Sequence, residues 1–407
     1  MKVVMDMRKI IGRTVAAAIA AAALLAFSGC ADNTETPVNT DSTESSAENE
    51  EPETTNITAA INGQIRDIPS TELVKEIKLG WSLGNTLDAV DSEAGHQDVT
   101  SETSWGNPVT TKEMITAVRN AGFNIVRIPV TWGNHMDEND IVDEEWMDRV
   151  QEVVDYAYTQ DMFVILNIHH EDWHDPYYEN ADASTEKLKT LWTQIGNRFE
   201  DYNERLIFEG LNEPRKRNTP LEWNGGDKEG HDVVNQYNAA FVETIRGLGG
   251  NNPKRHLMLP TYAASTVNSA ITDYVMPEGD DKLIVSVHAY TPYGFALSDD
   301  MNDRDFTPGE GSANDIIYLM DTLKTNFTDK GIPVIIGEFG ARNKNNVGAR
   351  SKWISYYLSK AKEIGVPCIW WDNGYFDGEG ENFGFLDREK NSFKYSEILF
   401  AMMDALN

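Results

Sequence analysis

Apolar residues gather along this chain into eight short, nearly continuous runs, separated by longer stretches in which they recur at helical spacing. The runs read Leu79-Gly-Trp-Ser-Leu-Gly-Asn85, Asn124-Ile-Val-Arg-Ile-Pro-Val130, Phe163-Val-Ile-Leu-Asn-Ile-His-His170 and Leu206-Ile-Phe-Glu-Gly-Leu-Asn-Glu-Pro214. They continue with His256-Leu-Met-Leu-Pro-Thr-Tyr262, Leu283-Ile-Val-Ser-Val-His-Ala-Tyr290, Pro333-Val-Ile-Ile-Gly-Glu-Phe339 and Val366-Pro-Cys-Ile-Trp-Trp-Asp-Asn373. Continuous rather than alternating apolar runs predict parallel strands covered on both faces. The spacers predict the covering helices. Between Asp143 and Ala157, Trp146, Val150, Val153, Val154 and Ala157 share one stripe; between Ser184 and Phe199, Leu188, Leu191, Trp192, Ile195 and Phe199 do the same. Eight strand–helix units predict an α/β chain folded as one (β/α)8 TIM barrel over residues 61–407, with its chemistry at the carboxyl ends of the strands.

The chain before the barrel has a different character. Lys2, Arg8, Lys9 and Arg13 precede an apolar stretch from Val15 to Phe27, too short to span a bilayer stably, so residues 1–30 are expected to be a secretory signal. Phe27-Ser-Gly-Cys30 resembles a bacterial lipoprotein cleavage site, with Phe27 where leucine is usual, and makes Cys30 the candidate lipidation site. The alternative is an ordinary signal cleaved nearby. Residues 31–60 are expected to form a disordered tether rich in Asp, Glu, Ser and Thr, with too little apolar surface to offset the entropy of ordering. The expected location is therefore outside the cell, anchored to the outer face of a bacterial membrane, with no membrane contact beyond the lipid.

Charge and cysteine content narrow the partners. Lys and Arg number 35 and Asp and Glu 66, a net charge of −31, which disfavours nucleic acid and suits a neutral substrate. The one cysteine besides Cys30 is Cys368, in the eighth run, expected as a buried small hydrophobe rather than a nucleophile.

Candidate chemistry lies where the runs end. Glu213 and Glu338 each close an apolar run, and a carboxylate there is costly unless it is paired or used. Two of them on different strands of one barrel suit glycoside hydrolysis, in which one carboxyl protonates the leaving oxygen and the other acts at the anomeric carbon. Glu209, four residues before Glu213, is expected deeper, as a structural charge with a buried partner. Arg127 can pair with a carboxylate inside the barrel. His288 and Tyr290, two apart on one strand, are expected to bond the nucleophilic carboxylate or sugar hydroxyls. Adjacent Trp370 and Trp371 must point opposite ways, one into the helices and one toward a sugar ring. Trp105 and Trp132 are candidate extensions of that platform, each equally suited to packing, and Asn85 closes the first run. His169-His-Glu-Asp-Trp-His174 also admits a zinc site, although the other strand ends offer stacking and hydrogen-bonding groups rather than further ligands.

Together Asn212-Glu-Pro214, Arg127-Ile-Pro129, His169-His170, His288-Ala-Tyr290, Gly337-Glu-Phe339 and Trp371 resemble glycoside hydrolase family 5, and Leu83-Gly-Asn-Thr-Leu-Asp-Ala89, Glu102-Thr-Ser-Trp-Gly-Asn-Pro108 and Val287-His-Ala-Tyr-Thr-Pro-Tyr293 resemble its subfamily 4. The resemblance runs from about Ile65 to the C-terminus. It implies a retaining endo-β-1,4-glucanase with no metal or organic cofactor. Glu213 matches the acid/base and Glu338 the nucleophile. Asn212 would bond the 2-hydroxyl, Arg127 and Tyr290 would hold Glu338, His169, His170 and His288 would line the subsite, and Trp371 would stack beneath the ring. The implied substrate is a β-glucan such as cellulose, with xyloglucan, mixed-linkage glucan and glucomannan as alternatives. Two other readings are a surface carbohydrate-binding protein without catalysis, which would lack one carboxylate, and a barrel metallohydrolase.

Overall fold

A computed structural model of the chain describes residues 64–91, 97–378 and 380–406. The leader, the acidic segment and Cys30 lie outside the described residues. Each apolar run contains a strand: β1 (Leu79–Leu83), β2 (Ile125–Ile128), β3 (Phe163–Asn167), β4 (Leu206–Glu209), β5 (Leu257–Pro260), β6 (Leu283–His288), β7 (Val334–Phe339) and β8 (Cys368–Asp372). The strands pair in sequence order and close, β8 against β1, into one parallel barrel. A helix follows each strand: α1 (Lys112–Asn120), α2 (Glu144–Tyr158), α3 (Tyr178–Arg198), α4 (Lys228–Gly247), the short α5 (Asn268–Thr272), α6 (Ala313–Asn326), α7 (Val347–Glu363) and α8 (Ser396–Leu406).

Local chemistry accounts for the helix boundaries and faces. The Asp227 side chain accepts the Gly230 backbone N–H at the start of α4, satisfying a donor that the helix itself cannot. α2 buries Trp146, Val150, Val153, Val154 and Ala157, the stripe its periodicity predicts. α3 begins at Tyr178, ahead of the Ser184 expected, and buries Leu188, Leu191, Trp192 and Ile195.

The barrel interior changes character along its axis. At the amino ends, Ile125, Phe163, Ile165, Ile207, Met258, Ile284, Ile335 and Ile369 form a closed apolar plug. Two residues further along their strands, on the same inward face, Arg127, Asn167, Glu209 and Ser286 are all fully buried. Strand alternation thus carries apolar side chains into the floor and polar ones into the layer above it.

One irregularity decides where the chemistry points. The register of β6 on β7 jumps from Val287 opposite Ile336 to His288 opposite Glu338, so Gly337 is an extra, bulged residue. Ile335 faces inward; strict alternation would turn Glu338 out toward the helices. The bulge returns it to the interior. A β-carbon on Gly337 would lie 3.2 Å from Ser286 Oγ and 3.4 Å from Glu209 Oε1, so a larger residue would crowd the polar layer. On β8, alternation sends Trp370 outward among Phe339, Trp353 and Phe385. Cys368 is buried, and that burial pushes its thiol pKa up.

Candidate active site

Arg127 is the centre of the polar layer. Its guanidinium donates from Nε to Glu209 Oε2 at 2.8 Å, from Nη1 to Glu338 Oε1 at 2.7 Å and from Nη2 to Asn212 Oδ1 at 2.7 Å. One rigid fork thereby sets the relative positions of residues from β2, β4 and β7. Glu209 is satisfied further by Ser286 Oγ at 2.6 Å and Asn167 Nδ2 at 3.0 Å, so it is a buried structural charge below the site. The second oxygen of Glu338 accepts the Tyr290 hydroxyl at 2.8 Å. Burial, then the neighbouring charge of Glu338, raises the Tyr290 pKa well above its ordinary value, so the phenol remains a donor.

Glu213 sits across from Glu338. Oxygens of the two carboxylates and a His288 nitrogen all lie within 4.8 Å of one another. His288 Nδ1 is 2.7 Å from Glu213 Oε1 and 3.6 Å from Glu338 Oε2, so of the two glutamates the histidine bonds Glu213. The two side chains are joined by this short contact. Burial alone would raise the Glu213 pKa, yet the hydrogen bond and charge of His288, followed by Arg215, hold it below the usual carboxylate value. Burial alone would lower His288, yet Glu338 and Glu213 raise it. The raised Glu213 pKa that an acid catalyst calls for is therefore absent from the free protein.

The indole of Trp371 covers the other side. It lies on the backbone of Gly84, where a β-carbon would come within 2.6 Å of Cη2, and it stacks with His169 at 5.7 Å and 7°. Asn167 fixes His169: its Oδ1 accepts from Val130 N at 3.2 Å, so its amide nitrogen faces His169 Nδ1 at 3.1 Å and makes that nitrogen an acceptor. Burial first, then nearby positive groups, lowers the His169 pKa well below its ordinary value, while His170, exposed beside it, lies 3.6 Å from Asp88 Oδ2. Trp105 is half-buried, 5.5 Å from His170 and tilted to it. Asn85 stands at the end of β1, its carbonyl accepting Asn107 Nδ2 at 2.8 Å and its N–H donating to Asp88.

One candidate for the sugar platform fails here. Trp132 is fully buried, its indole N–H spent on the Asn167 carbonyl at 2.9 Å, so it is packing and not part of a sugar platform. The run from His169 to His174 does not converge on one point. Glu171 turns away to accept Trp132 N and Trp173 Nε1, His174 is buried outside the group, and only His169 and His170 approach Asp88.

Residues 88–377 match the family described as Cellulase (glycosyl hydrolase family 5). The chain belongs to this family. Endoglucanase A of Ruminococcus albus is 49% identical over 339 residues, covering 82% of this chain and 92% of that protein. A solved GH5-4 broad specificity endoglucanase from Ruminococcus champanellensis with bound cellotriose superposes with a TM-score of 0.79 at 46% identity, over 84% of this chain and 100% of the other. A GH5 family lichenase from Caldicellulosiruptor sp. F32 superposes with a TM-score of 0.80 at 40% identity, over 85% and 97% respectively. In this family 5 chain, Asn167, Ser286 and Arg215 belong to the site although the sequence reading passed over them. The first two carried a usable signal, since each lies two residues beyond an inward-facing isoleucine on its strand.

Proposed function

We propose that this chain is a retaining endo-β-1,4-glucanase in which Glu338 is the nucleophile and Glu213 the acid/base. The observation that carries the assignment is the pairing of two close carboxylates with opposite partners. Glu338 accepts from a permanent cation and a phenol, which hold it in place and aim it. Glu213 is hydrogen-bonded to His288, a titratable partner suited to a group that must give and take a proton. An oxygen of each carboxylate within 4.8 Å of the other fits the close pair of about 5–5.5 Å typical of retaining enzymes better than the roughly 6.5–9.5 Å of inverting ones.

In the first step Glu338 attacks the anomeric carbon as the Glu213–His288 pair delivers its proton to the departing oxygen. In the second, Glu213 takes a proton from water, which displaces Glu338 and restores the β configuration. Asn212, its oxygen held by Arg127, presents its amide N–H groups to the 2-hydroxyl. Trp371 offers a ring face to the sugar. Cellotriose in one relative and the name lichenase for another support a range of β-glucans, including mixed-linkage glucan, over one polymer.

Replacing Glu213 by glutamine is expected to slow hydrolysis of cello-oligosaccharides by roughly 10²–10⁴-fold. Hydrolysis of a dinitrophenyl β-cellobioside should lose far less in its first step, since that leaving group departs unprotonated. Equal losses on both substrates would remove Glu213 from the acid role. We also propose export and a surface tether from residues 1–60. Palmitate labelling of the expressed full chain should disappear on C30A, and labelling that persists in that variant counts against a lipid on Cys30.

A further inference from the structure

The two oxygens of Glu213 have different surroundings. Oε1 takes the His288 hydrogen bond at 2.7 Å, whereas Oε2 has no hydrogen bond among the described residues and faces Arg215 Nη1 at 3.5 Å. Arg215 is held in place by three contacts. Its Nη1 donates to the Glu213 carbonyl at 3.0 Å, its Nε donates to Glu222 Oε1 at 3.2 Å, and its guanidinium lies 4.2 Å above the ring of Trp223. Glu222 is fixed in turn by the Asn218 N–H at 2.8 Å. Trp223 is 56% exposed, a wide ring left at the surface by a loop that uses it as a seat for a cation.

We propose that Arg215 is a positioning residue for the acid/base: a cation seated on Trp223 and Glu222 that faces Glu213 Oε2 without hydrogen-bonding it. This rests on the acid/base assignment above. A guanidinium in full hydrogen-bonded contact would trap Glu213 as a carboxylate and block its use as an acid. At 3.5 Å from Oε2 it is beyond a good hydrogen bond but well inside Coulombic range. It therefore stabilises the negative charge that appears on Glu213 as its proton leaves. Glu213 also faces His288 on β6, Glu338 on β7 with Arg127 behind it, His170 after β3, Tyr290 after β6 and Glu381 after β8. Among these only Arg215 is both permanently charged and aimed at Oε2.

The sign of the effect follows. The first step requires a proton on the Glu213–His288 pair, and its loss sets the basic limb of the kcat/KM profile. Removing a positive charge lets both groups hold a proton to higher pH, so the basic limb moves up. It also removes stabilisation of the developing carboxylate, so natural leaving groups depart more slowly. The test compares pH profiles of the native chain, R215M, R215K and W223A on cellotetraose and on dinitrophenyl β-cellobioside. R215M should move the basic limb up by roughly half to one unit and lower kcat/KM on cellotetraose about tenfold, with a much smaller loss on the activated substrate. R215K should keep the limb near native, and W223A should shift it in the same direction by less. If R215M is not folded by circular dichroism, R215Q takes its place. An unmoved limb in R215M, an equal shift in R215K, or equal losses on both substrates overturns the proposal; a native limb in W223A overturns the seat assigned to Trp223. An E213Q variant still active on cellotetraose would instead defeat the acid/base assignment beneath it.

Discussion

An E338A variant should lose roughly 10⁴-fold or more of its turnover on β-glucan while remaining folded. The side chain removed is the one that must bond to the anomeric carbon, and its neighbours are engaged otherwise: Glu213 with His288, Tyr290 as a protonated donor, and Glu209 in the polar layer with Arg127, Ser286 and Asn167. Folding should survive because Arg127 retains Glu209 and Asn212. With a dinitrophenyl glycoside and added azide, the small anion enters the space vacated by the carboxylate and attacks from the same face. The product should be the α-glycosyl azide, identifiable by the coupling constant of its anomeric proton. A β-glycosyl azide, or turnover near native, would dismiss Glu338 as the nucleophile.

The second large effect concerns stability as well as rate. R127M removes the donors to two buried carboxylates and one amide at once. Breaking a buried ion pair from one side typically costs about 3–5 kcal/mol, because the remaining charge has no compensation. Urea unfolding of R127M should show a loss of that order, together with a collapse of activity as Glu338 loses its fixed orientation. The double variant R127M/E209Q separates the two roles. Neutralising Glu209 removes the stranded charge and should recover much of the stability, but it cannot re-aim Glu338, so activity should stay low. Native-like stability in R127M would show that the network is dispensable to the fold.

The barrel was legible because strands buried on both faces leave continuous apolar runs, here each too short for a helix and repeated eight times between amphipathic spacers. Glu209, Arg127 and Trp371 were legible for a related reason: inside a closed barrel a charge or a broad aromatic ring has few uses. The pairing of His288 with Glu213 was not legible because strand parity gives the face of a side chain and not its reach: His288 Nδ1 lies 2.7 Å from Glu213 Oε1 and 3.6 Å from Glu338 Oε2. Trp132 was misjudged because sequence cannot separate an indole whose N–H is spent on a neighbouring carbonyl from one that faces a cleft. Arg215 was passed over because its position depends on Trp223, eight residues away along a loop without periodicity.

The bulge at Gly337 has a consequence for anyone transplanting this chemistry. In a regular strand, a side chain's destination can be copied by copying the sequence. Here the aim of Glu338 is written into the main chain, by one residue that pairs with nothing opposite. A graft that moved these side chains onto an idealised barrel would keep every functional group and send the attacking one into the helical coat. The portable unit is an offset in backbone spacing, with the glutamate as its passenger.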